Sequence, residues 1–157
     1  MTDGTKRAGE RTFESDFRVR SYELDGFGHL NHAVYLNYFE QARYDALTAG
    51  GFGLEKLAES NWAVHVVRVE VDFRREALLG QEMVVRTHVA HARNSSMTLE
   101  QVAVDPARTE RLIDGIPVAT VPPDAVFAEG KVVVVWIGPD RAPMRIPAEV
   151  RSALGMR

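Results

Sequence analysis

The chain has 157 residues, 45% hydrophobic and 26% charged, with 19 basic against 22 acidic residues and a formal net charge of -3. That is the length and composition of one globular domain, and basic residues scattered among Asp and Glu exclude the positive footprint of a nucleic-acid binder. With no cysteine, disulfides, a thiolate nucleophile and a Cys-ligated metal are excluded too.

Residues 1–12 are polar and lack the apolar core of a signal peptide, so they are expected to be a flexible, unprocessed lead-in. No apolar run approaches a membrane span, which sets the expectation of a cytoplasmic protein without integral membrane association. Phe17, Val19 and Ser21 then alternate with Arg18, Arg20 and Tyr22, predicting a half-buried strand that ends just before Asp25. From His32 to Ala49 there is neither Gly nor Pro, and Tyr35, Tyr38, Phe39, Ala42 and Ala46 fall at helical spacing. Gly50-Gly51 supplies the stop. Leu36 and Leu47 lie off that stripe, so the predicted helix is apolar around much of its circumference and should be wrapped by a sheet. A shorter helix is predicted over Leu54 to Ser60.

Val67, Val69, Val71 and Phe73 alternate with charged residues as a strand. Leu79-Gly80-Gln81-Glu82 reads as the turn into a strand from Met83 to Ala90, and His91-Ala92-Arg93-Asn94 as the turn into Ser96 to Val104. Residues 105–124 contain Pro106, Pro117, Pro122 and Pro123 and read as a variable excursion. The last strand, Lys131 to Ile137, is apolar on both faces and needs cover on both. Ile146 to Leu154 is expected to be a short helix with Pro147 near its first turn. One long helix among segregated strands is an α+β pattern, a curled antiparallel sheet of about five strands around one central helix, in a single domain over 13–157.

Between the first strand and the helix lies Asp25-Gly26-Phe27-Gly28-His29-Leu30-Asn31-His32-Ala33-Val34-Tyr35. It sets a carboxylate, two imidazoles and an amide beside a helix N-terminus, where backbone N–H groups and the macrodipole favour developing negative charge. Asp25 suits a general base or a nucleophile, and equally a turn carboxylate, Asp-Gly being a frequent turn pair. His29 suits orienting Asp25 or water, or bonding loop backbone. Asn31 suits capping the helix, and Tyr35 packing at its start. Ser95 and Ser96 suit bonding a substrate carbonyl or closing a turn. His65, His88 and His91 have no spacing that recommends a metal site.

This segment closely resembles the N-terminal active-site motif of the hot-dog-fold acyl-CoA thioesterases, in particular the 4-hydroxybenzoyl-CoA thioesterase family and the related Tol-Pal-associated bacterial thioesterases. Tyr38-Phe39-Glu40-Gln41-Ala42-Arg43, Val69-Glu70-Val71-Asp72-Phe73 entering Arg74-Arg75-Glu76-Ala77, Asn94-Ser95-Ser96 and Arg145-Ile146-Pro147 extend the likeness over roughly residues 15–155, apart from the excursion. The resemblance implies a hot-dog fold and hydrolysis of an acyl-CoA thioester, with an acyl-carrier-protein thioester as the alternative substrate, a homodimer or homotetramer, and neither cofactor nor metal. It makes Asp25 the catalytic carboxylate and the backbone N–H of His32 the oxyanion donor, with the His32 ring lining the site and Tyr35 as a pocket wall. It makes Arg74, Arg75, Arg86 and Arg93 candidates for the CoA phosphates, which guanidinium forks suit. It also makes Glu40 a rival carboxylate, though at i,i+3 Glu40 is expected to pair with Arg43. Glu23 and Phe27 depart from the family pattern, where a second Asp and small residues are frequent. An enoyl-thioester hydratase or hydroxyacyl dehydratase of the same fold, and a non-catalytic acyl-thioester binder, are the competing readings.

Overall fold

The computed structural model describes residues 11–112 and 121–156. Most of the expected flexible lead-in and the middle of the excursion therefore lie outside the described residues. The chain forms β1 (Thr12–Arg18), α1 (His32–Ala49), α2 (Leu54–Ser60), β2 (Ala63–Phe73), β3 (Glu82–Ala92), β4 (Ser96–Val104), β5 (Val126–Ile137) and α3 (Ala148–Ala153). The strands make one antiparallel sheet in the order β1-β3-β4-β5-β2, curled around α1. This is the expected α+β, five-stranded hot-dog architecture.

Several boundaries differ from expectation, those of β1 and β5 most. β1 starts at Thr12 and ends at Arg18, because Ser21–Glu23 tighten into a single 3-10 turn where a strand was read. β5 begins at Val126 instead of Lys131; the Glu129-Gly130-Lys131 stretch weakens the apolar pattern, but antiparallel pairing to both β4 and β2 carries the strand through it.

Alternation along the strands turns Phe13, Phe17, Met83, Val85, Leu99, Ala103, Val132 and Val134 towards α1, and all but half-buried Phe17 are buried. They pack in two clusters along the helix. One surrounds its N-terminal half with Tyr35, Tyr38, Phe39, Ala42 and Phe127; the other surrounds its C-terminal half with Ala46, Leu47, Leu57, Trp136, Ile146 and Val150. Trp62 and Trp136 meet edge to face in the second cluster with ring centroids 5.8 Å apart. On the other face of β5, Val133 and Val135 stay half-buried.

Between the clusters the helix sits directly on the sheet. Phe39 is 0% exposed, and a Cβ added at Gly130 would come within 2.8 Å of the Phe39 ring, so only glycine lets β5 approach this closely. Beside that contact runs a polar network. Gln101 donates to the carbonyl of Phe39 at 2.9 Å and to Thr87 Oγ1 at 2.9 Å, and accepts from Arg43 at 3.0 Å.

Candidate active site

After β1 the 3-10 turn delivers the chain to a small hairpin closed by the bridge Leu24–Leu30. The hairpin is moored twice. Leu30 N–H donates to Ala77 O at 2.8 Å, and Asn31 N–H donates to Glu23 O at 2.9 Å. Glu23 is 9% exposed, and its carboxylate accepts from the Tyr38 hydroxyl at 2.7 Å and from the Arg20 N–H at 2.9 Å. Burial, then the bond to Glu23, pushes the Tyr38 phenol well above its ordinary pKa. Sequence reasoning noticed Glu23 only as a departure from a pattern and Tyr38 only as core; together they clamp the loop to the helix. The clue was the pairing of an acidic residue before the loop with a tyrosine one turn beyond Tyr35. Tyr38→Phe should cost about 1–3 kcal/mol by stripping a partner from a buried carboxylate, read as a lowered Tm, and should reduce kcat along with it because the loop loses its mooring.

Asp25 stands at the start of the hairpin. Its Oδ1 accepts from the N–H of Phe27 at 2.9 Å and of His29 at 3.1 Å, while its own N–H donates to His29 O at 2.7 Å. Gly28 at φ +81° makes the reversal, a conformation other residues rarely adopt. The backbone bonds from His29 and then Phe27 hold the Asp25 carboxyl below its ordinary pKa, and the two nearby imidazoles add to the effect. Asp25 thus has one oxygen tied in the turn and, among the described residues, no hydrogen bond on Oδ2. Both earlier readings of this residue, turn carboxylate and reactive carboxylate, are compatible with the same geometry.

Asn31 is the N-cap of α1, its Oδ1 accepting from Ala33 N–H at 2.9 Å, and Val34 N–H reaches Asn31 O at 2.9 Å. No hydrogen bond among the described residues takes the N–H of His32, the first helical residue. The His32 ring meets Phe73 edge-on at 6.4 Å, and buried Tyr35 meets the same ring at 5.4 Å. Burial pushes the Tyr35 phenol up to about 12. His29 Nε2 lies 2.8 Å from Glu76 Oε2. At the tip of the hairpin Phe27 is 88% exposed.

The remaining candidates scatter. Arg74 lies 3.3 Å from Glu129 and 3.6 Å from Asp72. Arg75 donates to Asp124 O at 2.7 Å, lies 3.5 Å from Asp105 and stacks over Phe127, which ties it to the scaffold instead of leaving it free for a phosphate. Arg86 is buried against Glu14 on the outer face. Arg93 and Ser95 belong to the β3–β4 turn, and Ser96 opens β4. Ser96 pairs with Val135, which pairs with His65 near the start of β2, whereas the Asp25 loop sits by Phe73 at its end. Eight residues of strand, roughly 25 Å, separate those two ends, so one chain does not bring Ser95, Ser96 and Arg93 to Asp25.

Glu40 corrects an expectation. It makes no ion pair among the described residues; Arg43 gives its hydrogen bond to Gln101 instead. Both residues line a cavity of about 430 Å³ between the C-terminal half of α1 and the sheet. Sequence reading missed this cavity because its lining comes from all five strands.

A family model described as the thioesterase-like superfamily matches residues 19–154. A chloroplastic acyl-acyl carrier protein thioesterase of Arabidopsis thaliana is 29% identical over 139 residues, 88% of this chain and 65% of the relative. This chain therefore spans slightly less than two thirds of that protein. The long-chain acyl-CoA thioesterase FadM of Escherichia coli is 30% identical over 89 residues, 57% of this chain and 67% of the relative. Among solved structures, the probable thioesterase YbaW of Escherichia coli aligns with a TM-score of 0.68 at 26% identity, covering 90% of this chain and 96% of that one.

Proposed function

The chain belongs to the thioesterase-like superfamily, and from that premise we propose that it hydrolyses an acyl-CoA thioester to the free acid and CoA, with an acyl-carrier-protein thioester as the alternative donor. The observation that carries the reading is the pairing of the Asp25 carboxylate, held below its ordinary pKa, with the His32 N–H at the start of an 18-residue helix, neither Asp25 Oδ2 nor that N–H having a hydrogen bond among the described residues. A thioester carbonyl bonded to that N–H develops its negative charge at the positive end of the helix dipole. Asp25 then either takes the proton of an attacking water or attacks the carbonyl carbon itself, expelling the thiolate of CoA. In the second route water releases the acyl group from the carboxylate. The His32 ring and Tyr35 wall the acyl side. His29, oriented by Glu76, holds the loop through its backbone and positions Asp25. No step needs a metal or a cofactor.

The proposed assembly is a homodimer, or a homotetramer built from it. β2 is a sheet edge whose Val66, Val67, Val69 and Phe73 are 42–60% exposed, and an apolar edge of this length favours pairing. Two such edges meeting antiparallel about a two-fold axis bring the Phe73 end of one chain beside the His65 end of the other. That arrangement carries the partner's β3–β4 turn, with Ser95, Ser96 and Arg93, to the Asp25 loop. It also carries the partner's cavity there. Within one chain the route from loop to cavity is closed by Phe39 seated on Gly130, so in this reading each active site joins the loop of one protomer to the acyl cavity of the next. The cytoplasm, where acyl-CoA is turned over, is the proposed compartment.

A panel of saturated acyl-CoAs and aroyl-CoAs, none with a double bond to hydrate, tests the activity. Thiol should be released, unaffected by dialysis against a chelator. Consumption of enoyl-CoA alone, with water added and no thiol freed, would make the protein a hydratase; binding without turnover of either would make it a carrier.

A further inference from the structure

The turn between β3 and β4 is exposed at Arg93 and Asn94, yet its backbone is held from inside. An exposed turn ordinarily leaves its carbonyls to water. Here all four from Arg93 to Ser96 are taken. Ser96 O accepts from Arg93 N–H at 2.8 Å, Ser95 O from Trp136 N–H at 2.7 Å, and Asn94 O from Ile146 N–H at 2.8 Å. The remaining donor is Arg151 on α3. Its Nη2 reaches both Arg93 O and Asn94 O, the latter at 3.1 Å, and its Nε reaches Ile146 O at 3.3 Å. The neighbouring Val150 is 0% exposed, so this guanidinium stands on the core and spends its hydrogen bonds on backbone, with no acidic partner among the described residues.

What the rigid turn presents is the Arg93 side chain. Arg74, Arg75 and Arg86 each lie against a carboxylate, whereas the Arg93 guanidinium has neither ion pair nor hydrogen bond among the described residues. Two protomers paired along β2 set that turn beside the partner's Asp25 loop, where a bound acyl-CoA would bring its phosphates. A guanidinium fork holds phosphate through parallel N–H bonds, which demand direction as well as charge. Fixing the peptide from which Arg93 departs fixes that direction.

We propose that Arg151 is a positioning residue for CoA recognition: through Arg93 O and Asn94 O it aims the Arg93 guanidinium at a phosphate of the donor bound to the neighbouring protomer's loop. The inference rests on the thioesterase reading for the donor and on the β2-paired assembly for the place.

The test compares full-length wild type, Arg93→Ala, Arg151→Met and the double variant on dodecanoyl-CoA and on its N-acetylcysteamine thioester, which bears the same acyl group and no nucleotide. Each single variant should raise KM for dodecanoyl-CoA about tenfold, the scale of one hydrogen bond to a charged group, and leave kcat within about twofold. The double variant should be no worse than the worse single one, because both remove the same contact. KM for the truncated thioester should not move. A merely structural Arg151 would raise KM for both thioesters, or multiply with Arg93→Ala to about a hundredfold, and either result overturns the proposal. Arg151→Lys keeps the charge without the fork and should also raise KM for dodecanoyl-CoA; should Arg151→Met not fold, this variant takes its place in the comparison, and a wild-type KM overturns the proposal. The calorimetric Kd of CoA itself should follow the same pattern across the variants. That pattern without thiol release would sink the thioesterase reading and spare this inference; thiol release with equal KM values throughout would do the reverse.

Discussion

Asp25→Asn should lower kcat by about 10²–10⁴-fold, the usual contribution of a positioned base, and by more if the carboxylate attacks directly, while KM stays within a few fold. Asparagine is nearly isosteric and its carbonyl can still accept from Phe27 and His29, so the hairpin keeps its shape. It cannot take a proton at neutral pH or form an acyl-enzyme. The loss belongs in kcat because the removed interaction acts on the reacting atoms and not on the bound thioester. The wild-type pH profile carries the same signature. A carboxyl whose folded pKa is depressed is ionised above that pKa, so activity should hold flat as pH falls from 7 through about 5 and drop only at or below the ordinary carboxylate range. A limb near pH 6.5 would transfer the base to His29 or His32. Should Asp25→Asn retain a tenth or so of wild-type kcat, far above that range, while Glu40→Gln is inactive, the reactive carboxylate lies on the helix.

The second large effect is a rescue. Val89→Trp fills the acyl cavity from a half-buried position on β3, away from the β2 edge, and should be inactive towards long acyl chains as a homodimer. Asp25→Asn is inactive for its own reason. Unfolded together and refolded at equal ratio, the two should regain about a quarter of the wild-type rate per protomer, because half the dimers are mixed and each mixed dimer has one intact site of two. That site joins Asp25 of the filled protomer to the open cavity of its partner. If loop and cavity acted within one chain, every site in the mixture would lack one part and nothing would return. Activity of either variant in a stable monomer by light scattering would refute the shared site outright.

Helix α1 was legible because a helix needs only local periodicity, and His32 to Ala49 carry it without a break. The strands were legible where pairing left one face apolar, and misread where pairing overrode pattern: β2 extends back to Ala63 through its ladder with β5, and β5 back to Val126 through two ladders. The loop carrying Asp25 could be recognised as a string of residue types, but its clamp could not. Glu23 and Tyr38 are 15 positions apart, and only the folded chain puts a buried carboxylate on a phenol. The same separation hid the fate of Arg43. Spacing along the helix offered it Glu40, whereas the fold offered Gln101 from 58 residues away. The partners of Arg75 were hidden for a related reason, since Asp105, Asp124 and Phe127 arrive from a different part of the sheet.

The chain has two tryptophans, and they face each other in one cluster at the C-terminal end of α1. Intrinsic emission is therefore a local dye for that half of the molecule. It will register docking of α3 and events at the cavity's far wall, and stay silent about the hairpin at the other end of the helix. Three of the four tyrosines cover that blind side, Tyr22, Tyr35 and Tyr38 lying around the hairpin and the start of α1. Excitation at two wavelengths can thus time the assembly of each half against the other in an unlabelled chain.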